Sequence, residues 1–543
     1  MSNSMIRGLI KQVNDGINVV SDNLNSRGVS ILDFENYKAS TDNGYDWTPA
    51  FNAALTFLSA SSLIKKLSIP AQTFTCLNLI PITSLHNGIT IEGEGYGTEI
   101  KIMNGASQNW IFNLYDSSSP VKGVTIRNMR LNGNKANVSN TNTTGFGIFA
   151  QQGTGIVNEN IIIQNIWSHD FLTTGVNAHS SNTMISNVFS WNNGFHGVTT
   201  ANAKNIMLSN LECHNNGGYG IDISGGEVIL SNFNATGNFS GGMKASVSQP
   251  TINLRAINGR LNNNIGVGFQ TTQSNGATLF FDNIESNDNG SGGFLVSEGD
   301  LCVIGKLTAL RNNKTAANNQ QAAVSFKIPT QVDTLITSDN NGYGLSVDCI
   351  KEVHVKRLIA ERNANYAVYL SKTEGSNLTI GSGSIVDNNA LYGISVGNNP
   401  NKLTVHNTVF GDTRDTKVQT RAVFLGTGST VTLIGCDLTQ CTSTPKVYDN
   451  NATSFTVRDN KGYLTENFGL KTLSGNAVAT TFVIPHGLAV TPNCVNLTPM
   501  TTTTVAQTYT VAVNSTNIVI TYPSAPPSGT DNLSWSWEVK YKK

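Results

Sequence analysis

Glycine recurs at positions 175, 197, 220, 242, 268 and 293, in steps of 22, 23, 22, 26 and 25 residues. Around these glycines the chain repeats a short apolar strand, an Asn-rich turn, a small residue and an alternating strand, loosely from Val124 to Val457. Clear copies are Asn192-Asn193-Gly194-Phe195-His196-Gly197-Val198, Asn215-Asn216-Gly217-Gly218-Tyr219-Gly220-Ile221 and Asn340-Asn341-Gly342-Tyr343-Gly344-Leu345. Self-similarity at such a period marks a solenoid or an array, because no single repeat can bury its own apolar face. Gly220-Ile221-Asp222-Ile223-Ser224 and Gly344-Leu345-Ser346-Val347-Asp348 alternate with period two, and no helical stripe competes. A propeller blade needs ~40 residues and four strands. The shorter repeat predicts one rung of a parallel β-helix, with stacked Asn side chains pairing along its axis.

Composition narrows the function. The 35 Lys+Arg cancel the 35 Asp+Glu, and charged residues make up only 13%. A nucleic-acid binder needs a basic stripe that this balance does not supply. With 39% apolar residues and no net charge, the chain can bury a large core rather than stay disordered. No run approaches the ~18 apolar residues of a membrane span, and Met1–Arg7 carries no apolar signal core. The expectation is a protein made in the cytoplasm without a signal peptide, with no membrane and no nucleic-acid partner. Seven Cys are scattered without CxxC spacing, which reads as reduced, buried thiols; Cys213, Cys302 and Cys349 fall at inward positions.

Four segments are expected. In 1–27, Ile6, Ile10, Val13, Ile17, Val20 and Leu24 step by 4, 3, 4, 3 and 4, the seam of a short coiled coil. β-Branched residues at both seam positions favour three strands. Segment 28–123 holds a β-like stretch at Val29–Phe34 and a helix from Pro49 to Leu58 N-capped by Thr48. Strand pairs follow around Pro70 and Gly93. Segment 124–466 is the β-helix body. Segment 467–543 is a small β-domain, with hairpin strands at Thr508–Val513 and Asn517–Tyr522 and a last strand at Ser534–Val539. His486, in Pro485-His486-Gly487, reads as a turn residue.

The stretches Val29–Phe34, Asp46-Trp47-Thr48-Pro49-Ala50-Phe51-Asn52-Ala53-Ala54-Leu55, Leu67-Ser68-Ile69-Pro70-Ala71 and Ile91-Glu92-Gly93-Glu94-Gly95 resemble the N-terminal region of pectate-lyase-like β-helix proteins, bacteriophage tailspikes among them. Glu35 and Asp46-Trp47-Thr48 depart from that pattern, which has Gly after the Asp-Phe and Asp-Asp-Thr before the helix. The resemblance implies an all-β, right-handed parallel β-helix with a short N-terminal helix and a small C-terminal β-domain. It further implies a homotrimer in the virion, joined to other tail or baseplate proteins through the N-terminus, that binds or cuts a host-surface polysaccharide. It supplies no catalytic residues.

Those come from stacking the repeats. Asn165–His169, Asn187–Trp191 and Asn210–His214 share a register, so Trp167, Phe189 and Glu212 form one outward column and His169, Trp191 and His214 the next. After the turn, Thr174, His196 and Tyr219 align, as do Asn177, Thr199, Asp222 and Lys244. Exposed rings beside carboxylates suit a sugar, whose apolar face stacks while its hydroxyls hydrogen-bond. The candidate substrate-binding residues are therefore Trp167, His169, Trp191, His196, His214, Tyr219 and Lys244. For hydrolysis, two carboxyls must flank the bond. Glu212 is the candidate acid, Asp222 its ionised partner beside Lys244, and Asp170 an alternative. A lyase would instead use His196 or Tyr219 as base and Lys244 as the stabilising cation. A glycan-binding adhesin without catalysis is the third reading. Asp282, Glu285, Asp288, Glu298 and Asp300 read as a solvated group. Gly217–Ile223 fits a calcium nonapeptide, but that site needs tandem copies and none flanks it, so no metal and no cofactor is expected.

Overall fold

The computed structural model describes residues 28–139, 144–150, 156–201, 203–246, 252–272, 276–315, 320–371, 374–441 and 445–542. The Ile6–Leu24 heptad lies outside these. The chain is an all-β parallel β-helix of about fifteen turns, divided into two compact units at residues 308 and 309.

In the first unit, two parallel sheets run through successive coils. One stacks Lys66–Ile69, Thr90–Gly93, Thr125–Asn132, Ile162–His169, Thr183–Trp191, Ile206–His214, Gly226–Thr236, Ile252–Arg260 and Thr278–Glu285. The other stacks Gly145–Ala150, Thr174–Ala178, Val198–Ala201, Tyr219–Ser224, Gly241–Ser246 and Val267–Thr272. In Ile206–His214, Ile206, Leu208, Leu211 and Cys213 point inward while Met207, Glu212 and His214 face out. The phase slips at Asn210. That residue takes φ 54°, and Asn165, Asn187, Asn232 and Asn258 repeat the left-handed kink at φ 52–56°. Asn tolerates this conformation better than most residues. Each kink divides a long strand into two halves.

Two amide ladders lock the rungs together. On the kinks, Asn187 Nδ2 donates to Asn165 Oδ1 at 2.9 Å and Asn210 Nδ2 to Asn187 Oδ1 at 2.8 Å. The second ladder is fully buried: Asn193, Asn216, Asn238 and Asn264 each donate from Nδ2 to the next Oδ1 at 2.9–3.1 Å, ending on Asn289. Each of those oxygens also accepts the backbone N–H of the preceding Asn at 3.0–3.1 Å. The repeating glycines make room for this chain. A Cβ on Gly197 would lie 3.0 Å from Asn216 Nδ2 and 2.6 Å from Gly220 O.

The second unit continues the same plan over residues 309–542. Asn312, Asn340, Asn363 and Asn389 form its buried ladder, ending on Gln419 Oε1. Two three-stranded antiparallel sheets follow. One is Glu466–Gly475, Gly529–Lys540 and Cys494–Pro499; the other is Thr481–Pro485, Asn517–Thr521 and Thr510–Val513. They bury Trp535, Tyr522, Ile518, Ile520 and Leu533 between them. His486 is structural: Nδ1 accepts Leu488 N–H and Nε2 reaches Asn514 O, both at 3.0 Å.

Several sequence expectations need correction. Only Val29–Ser30 is strand, and Ile31–Tyr37 is a 3₁₀ helix because Ser30 and Asp33 close a capping box. The helix spans Thr48–Ala60, and its first N–H is capped by Asp46 Oδ1 at 2.9 Å rather than by Thr48. Coiling starts at Val29, which pairs with Leu67, so residues 28–123 already contribute rungs. Cys213, Cys302 and Cys349 are buried as expected, and Cys494 is the exposed thiol.

The buried ladder should be the more sensitive of the two. Asn216→Ala strands the Asn193 backbone N–H and one Asn193 Nδ2–H in the interior, and each such orphan costs about 1–3 kcal/mol. Asn210→Gly, on the exposed ladder, keeps the left-handed backbone without strain and loses only exposed amide bonds, so it should cost about 1 kcal/mol or less. Thermal melting of the two variants tests that order.

Candidate functional site

Pairing registers place the predicted columns as expected. Trp167, Phe189 and Glu212 are directly opposed on successive strands, as are His169, Trp191 and His214. The first column continues through Asn234, Arg260 and Glu285. Trp167 and Phe189 stack at 6.0 Å and 10°, and Tyr96 meets Trp167 edge-on at 5.4 Å beneath Arg130. Tyr96 comes from a turn several coils earlier, and nothing in the repeat pointed to it. Beyond the rings lies a groove of about 460 Å³ lined by Phe189, Glu212, Asn234, Arg260 and Glu285. Glu212 Oε2 receives His214 Nε2 at 2.9 Å and Asn234 Nδ2 at 3.0 Å. Glu285 lines the groove beside Arg260 instead of being merely solvated.

His169 stacks on Trp191 at 4.4 Å and 14°, with Nδ1 2.7 Å from Asp170 Oδ2. Asp170 itself takes φ 58° in the turn, and its Oδ1 accepts Asn192 Nδ2–H. Both Asp170 carboxyl oxygens are thus engaged in holding the turn.

The second sheet carries a different group. Asn177, Thr199, Asp222, Lys244 and Gln270 form one outward column. Unlike a solvated face, Asn177, Thr199 and Asp222 are only 8%, 7% and 5% exposed. Among the described residues, Asn177 Oδ1 and Thr199 Oγ1 have no hydrogen-bond partner, and Asp222 Oδ1 has only the Lys244 ammonium. An orphaned buried polar atom costs about 1–3 kcal/mol, and here two lie on adjacent rungs beside that carboxylate. Asp222 Oδ2 lies 3.3 Å from His196 Nε2, and Oδ1 faces Lys244 Nζ at 3.4 Å.

His196 is fixed as a neutral ring. Its Nδ1 accepts the Tyr219 N–H at 3.0 Å, so the proton sits on Nε2 toward Asp222. Burial pulls its pKa from 6.5 down to about 4, against the pull of Asp222. With both nitrogens engaged, His196 orients Asp222 and is not the free base the sequence allowed. Tyr219 accepts Gln270 Nε2–H at its hydroxyl, which leaves its own proton to donate. Burial, then Asp222, raises the Tyr219 pKa. Lys244 Nζ lies 5.4 Å from the Tyr219 ring centre. Gln270 was legible as the next step of the Lys244 column.

Glu212 and Asp222 belong to consecutive strands of one coil but to different sheets, each with its own partners. The structure therefore yields two clusters, Glu212–His214 and His196–Tyr219–Asp222–Lys244, rather than one carboxyl pair.

No protein-family model and no curated relative matches the chain. Structural neighbours include phage tailspikes and other parallel β-helix proteins. The A-module of mannuronan C-5 epimerase AlgE4 from Azotobacter vinelandii aligns over 66% of this chain and 94% of its own, at TM-score 0.47 and 15% identity. Tailspike protein 3 of bacteriophage CBA120 covers 82% of this chain and 63% of its own, at 0.46 and 14%. Tailspike gp49 of Pseudomonas phage LKA1 covers 92% and 93%, at 0.38 and 11%. The likeness is one of fold.

His86, His179 and His196 all bind protons less readily in the fold, chiefly through burial. Above the unperturbed pKa of 6.5 they are neutral in both states. Below it the unfolded chain takes up protons that the folded one refuses, so stability should fall between pH 6.5 and about 4 and then level off. For His196 the loss is on the order of 3 kcal/mol. Denaturant melts of wild type and His196→Gln should converge as pH falls through this window.

Proposed function

We propose that this chain is a tail appendage that binds a host-surface polysaccharide and cleaves it at the His196–Tyr219–Asp222–Lys244 cluster. One observation carries the reading: on adjacent rungs, two unpartnered, buried oxygens and an Asp222 oxygen met only by the Lys244 ammonium stand beside a neutral His and a Tyr hydroxyl. A sugar hydroxyl at each orphan would recover the hydrogen bonds that folding gave up. Elimination then assigns Tyr219, as a phenolate favoured by Gln270 Nε2–H and the nearby Lys244 ammonium, to take the uronate α-proton and return it to the glycosidic oxygen as that C–O bond breaks and a C=C bond forms. Lys244 would balance the charge that develops on a uronate carboxyl. Asp222 and His196 would hold that geometry. Trp167, Trp191 and His169 would steer the neighbouring saccharides.

Hydrolysis is the second reading, favoured by Glu212: Oε2 is held by His214 and Asn234 inside a groove that begins at the Trp167–Phe189 stack. There Glu212 would act as general acid. The chain would work as a homotrimer in the virion, attached through its N-terminus.

Digests of purified host-surface polysaccharide separate these chemistries. Elimination releases ends with unsaturated-uronate absorbance, and Tyr219→Phe should lower that rate by ~10²-fold or more, while Glu212→Gln leaves it near wild type. Reducing ends without that absorbance, lost in Glu212→Gln, would instead establish hydrolysis. Binding without any new ends would leave an adhesin.

A further inference from the structure

The second unit carries an outward line of rings that the cleavage reading does not use. Tyr343, Tyr366, Tyr392, Phe424 and Tyr448 stack on five successive coils, with centroids 5.1–5.4 Å apart and planes 3–13° from parallel. At ~4.8 Å per rung the strip is about 19 Å long. A ring ladder that served only the core would lie inside the coil, as Phe269, Phe281 and Phe294 do at 0–3% exposure. These five are half-buried and face outward. Tyr369 flanks Tyr343 and Tyr366 from the neighbouring column, with Ser346 and Ser395 on the rungs to either side of it. At Arg421–Leu425 the ring moves into that neighbouring column, and Arg421 takes the position opposite Tyr392. Its guanidinium lies 4.1 Å from the Tyr448 ring centre and 5.4 Å from that of Tyr392. One N–H goes to the Tyr392 hydroxyl at 3.4 Å. Among the described residues, no carboxylate pairs with it.

We infer that this strip is a second binding site, for an acidic polysaccharide laid along its line of rings. Offset rings give a run of apolar steps to sugar C–H faces, and phenol hydroxyls bring hydrogen bonds to the same edge. The Tyr343, Tyr369 and Tyr448 hydroxyls make no hydrogen bond within the chain among the described residues, so they are available to it. Charge complementarity names the occupant as an anion. A guanidinium carries five N–H donors, and ring faces hold it in place without using the in-plane fork. That fork matches a uronate carboxylate bidentately. A nucleic acid would need cations along the whole strip, whereas Arg421 is the one cation in the two columns. The site belongs to the second unit, the His196–Tyr219–Asp222–Lys244 cluster to the first. It therefore goes beyond the cleavage reading and does not depend on it.

The probe is an array of purified bacterial surface polysaccharides, each spotted native and carboxyl-reduced. Full-length protein carrying Glu212→Gln and Tyr219→Phe keeps the polymers intact during binding. This protein should bind a uronate-containing polymer, and adding Arg421→Gln should weaken that binding about tenfold or more while the melting temperature stays the same. Binding to the carboxyl-reduced form should be weaker from the start and indifferent to Arg421→Gln. Nitration by tetranitromethane, mapped by mass spectrometry, places the polymer: saturating polysaccharide should slow modification of Tyr343, Tyr366 and Tyr392 in the wild type. Unchanged affinity in Arg421→Gln, an equal loss on the carboxyl-reduced polymer, or ladder tyrosines nitrated as fast with every polysaccharide as without would each overturn the inference. So would ladder tyrosines that resist nitration in the protein alone, since another protein surface would then cover them. A wild type that releases no new ends but still protects these rings would remove the cleavage reading and keep this one.

Discussion

Everything in this molecule is referred to the buried amide ladder. Asn216, Asn238 and Asn264 each give two donors to one oxygen of the next Asn and accept the same from the Asn before, in a series that runs from Asn193 to Asn289. An amide buried in this way cannot slip by a residue without leaving its own N–H and its neighbour's carbonyl unpaired. Register is thereby fixed turn by turn, and outward side chains fall into straight columns. The glycine after each turn is the steric counterpart: without it the ladder would have no space. The ring stack and the Asn177–Thr199–Asp222 column are both consequences of that alignment.

Against this background the second sheet sets unpaired polar atoms side by side. Among the described residues, Asn177 and Thr199 each keep an oxygen without a hydrogen bond where solvent scarcely reaches, and the next oxygen of the column, Asp222 Oδ1, meets only the Lys244 ammonium. Folded chains carry such debts at sites where something else settles them. The neutral lock on His196 belongs to the same arrangement, because a charged ring there would give up Tyr219 N–H and repel Lys244. On the proposed reading, stability and recognition are opposed at these positions.

Much of this was legible in the residues. The columns Trp167–Phe189–Glu212 and His169–Trp191–His214 followed from period-two alternation anchored on Asn, and the pairing reproduces them. What the sequence hid was direction. Glu212 and Asp222 share a coil, but Asn210 turns the strand at φ 54° and the Asn215–Gly218 turn carries the chain to another sheet. Asp170 looked like a free acid because its role in the turn depends on Asn192, one rung away. His196 looked like a base because the N–H that occupies it belongs to the next coil's backbone, to which a sequence repeat is blind. Local patterns gave the fold; contacts between coils decided the chemistry.

Thr199→Val measures the central claim most directly, since valine matches threonine in shape and removes only the orphaned hydroxyl. If that oxygen is kept for a sugar, the free protein should melt higher than wild type. Its affinity for purified host-surface polysaccharide, measured by calorimetry, should fall about tenfold, the worth of one hydrogen bond. A lower melting temperature with unchanged affinity would contradict the account, because the hydroxyl would then be serving the fold and not a ligand.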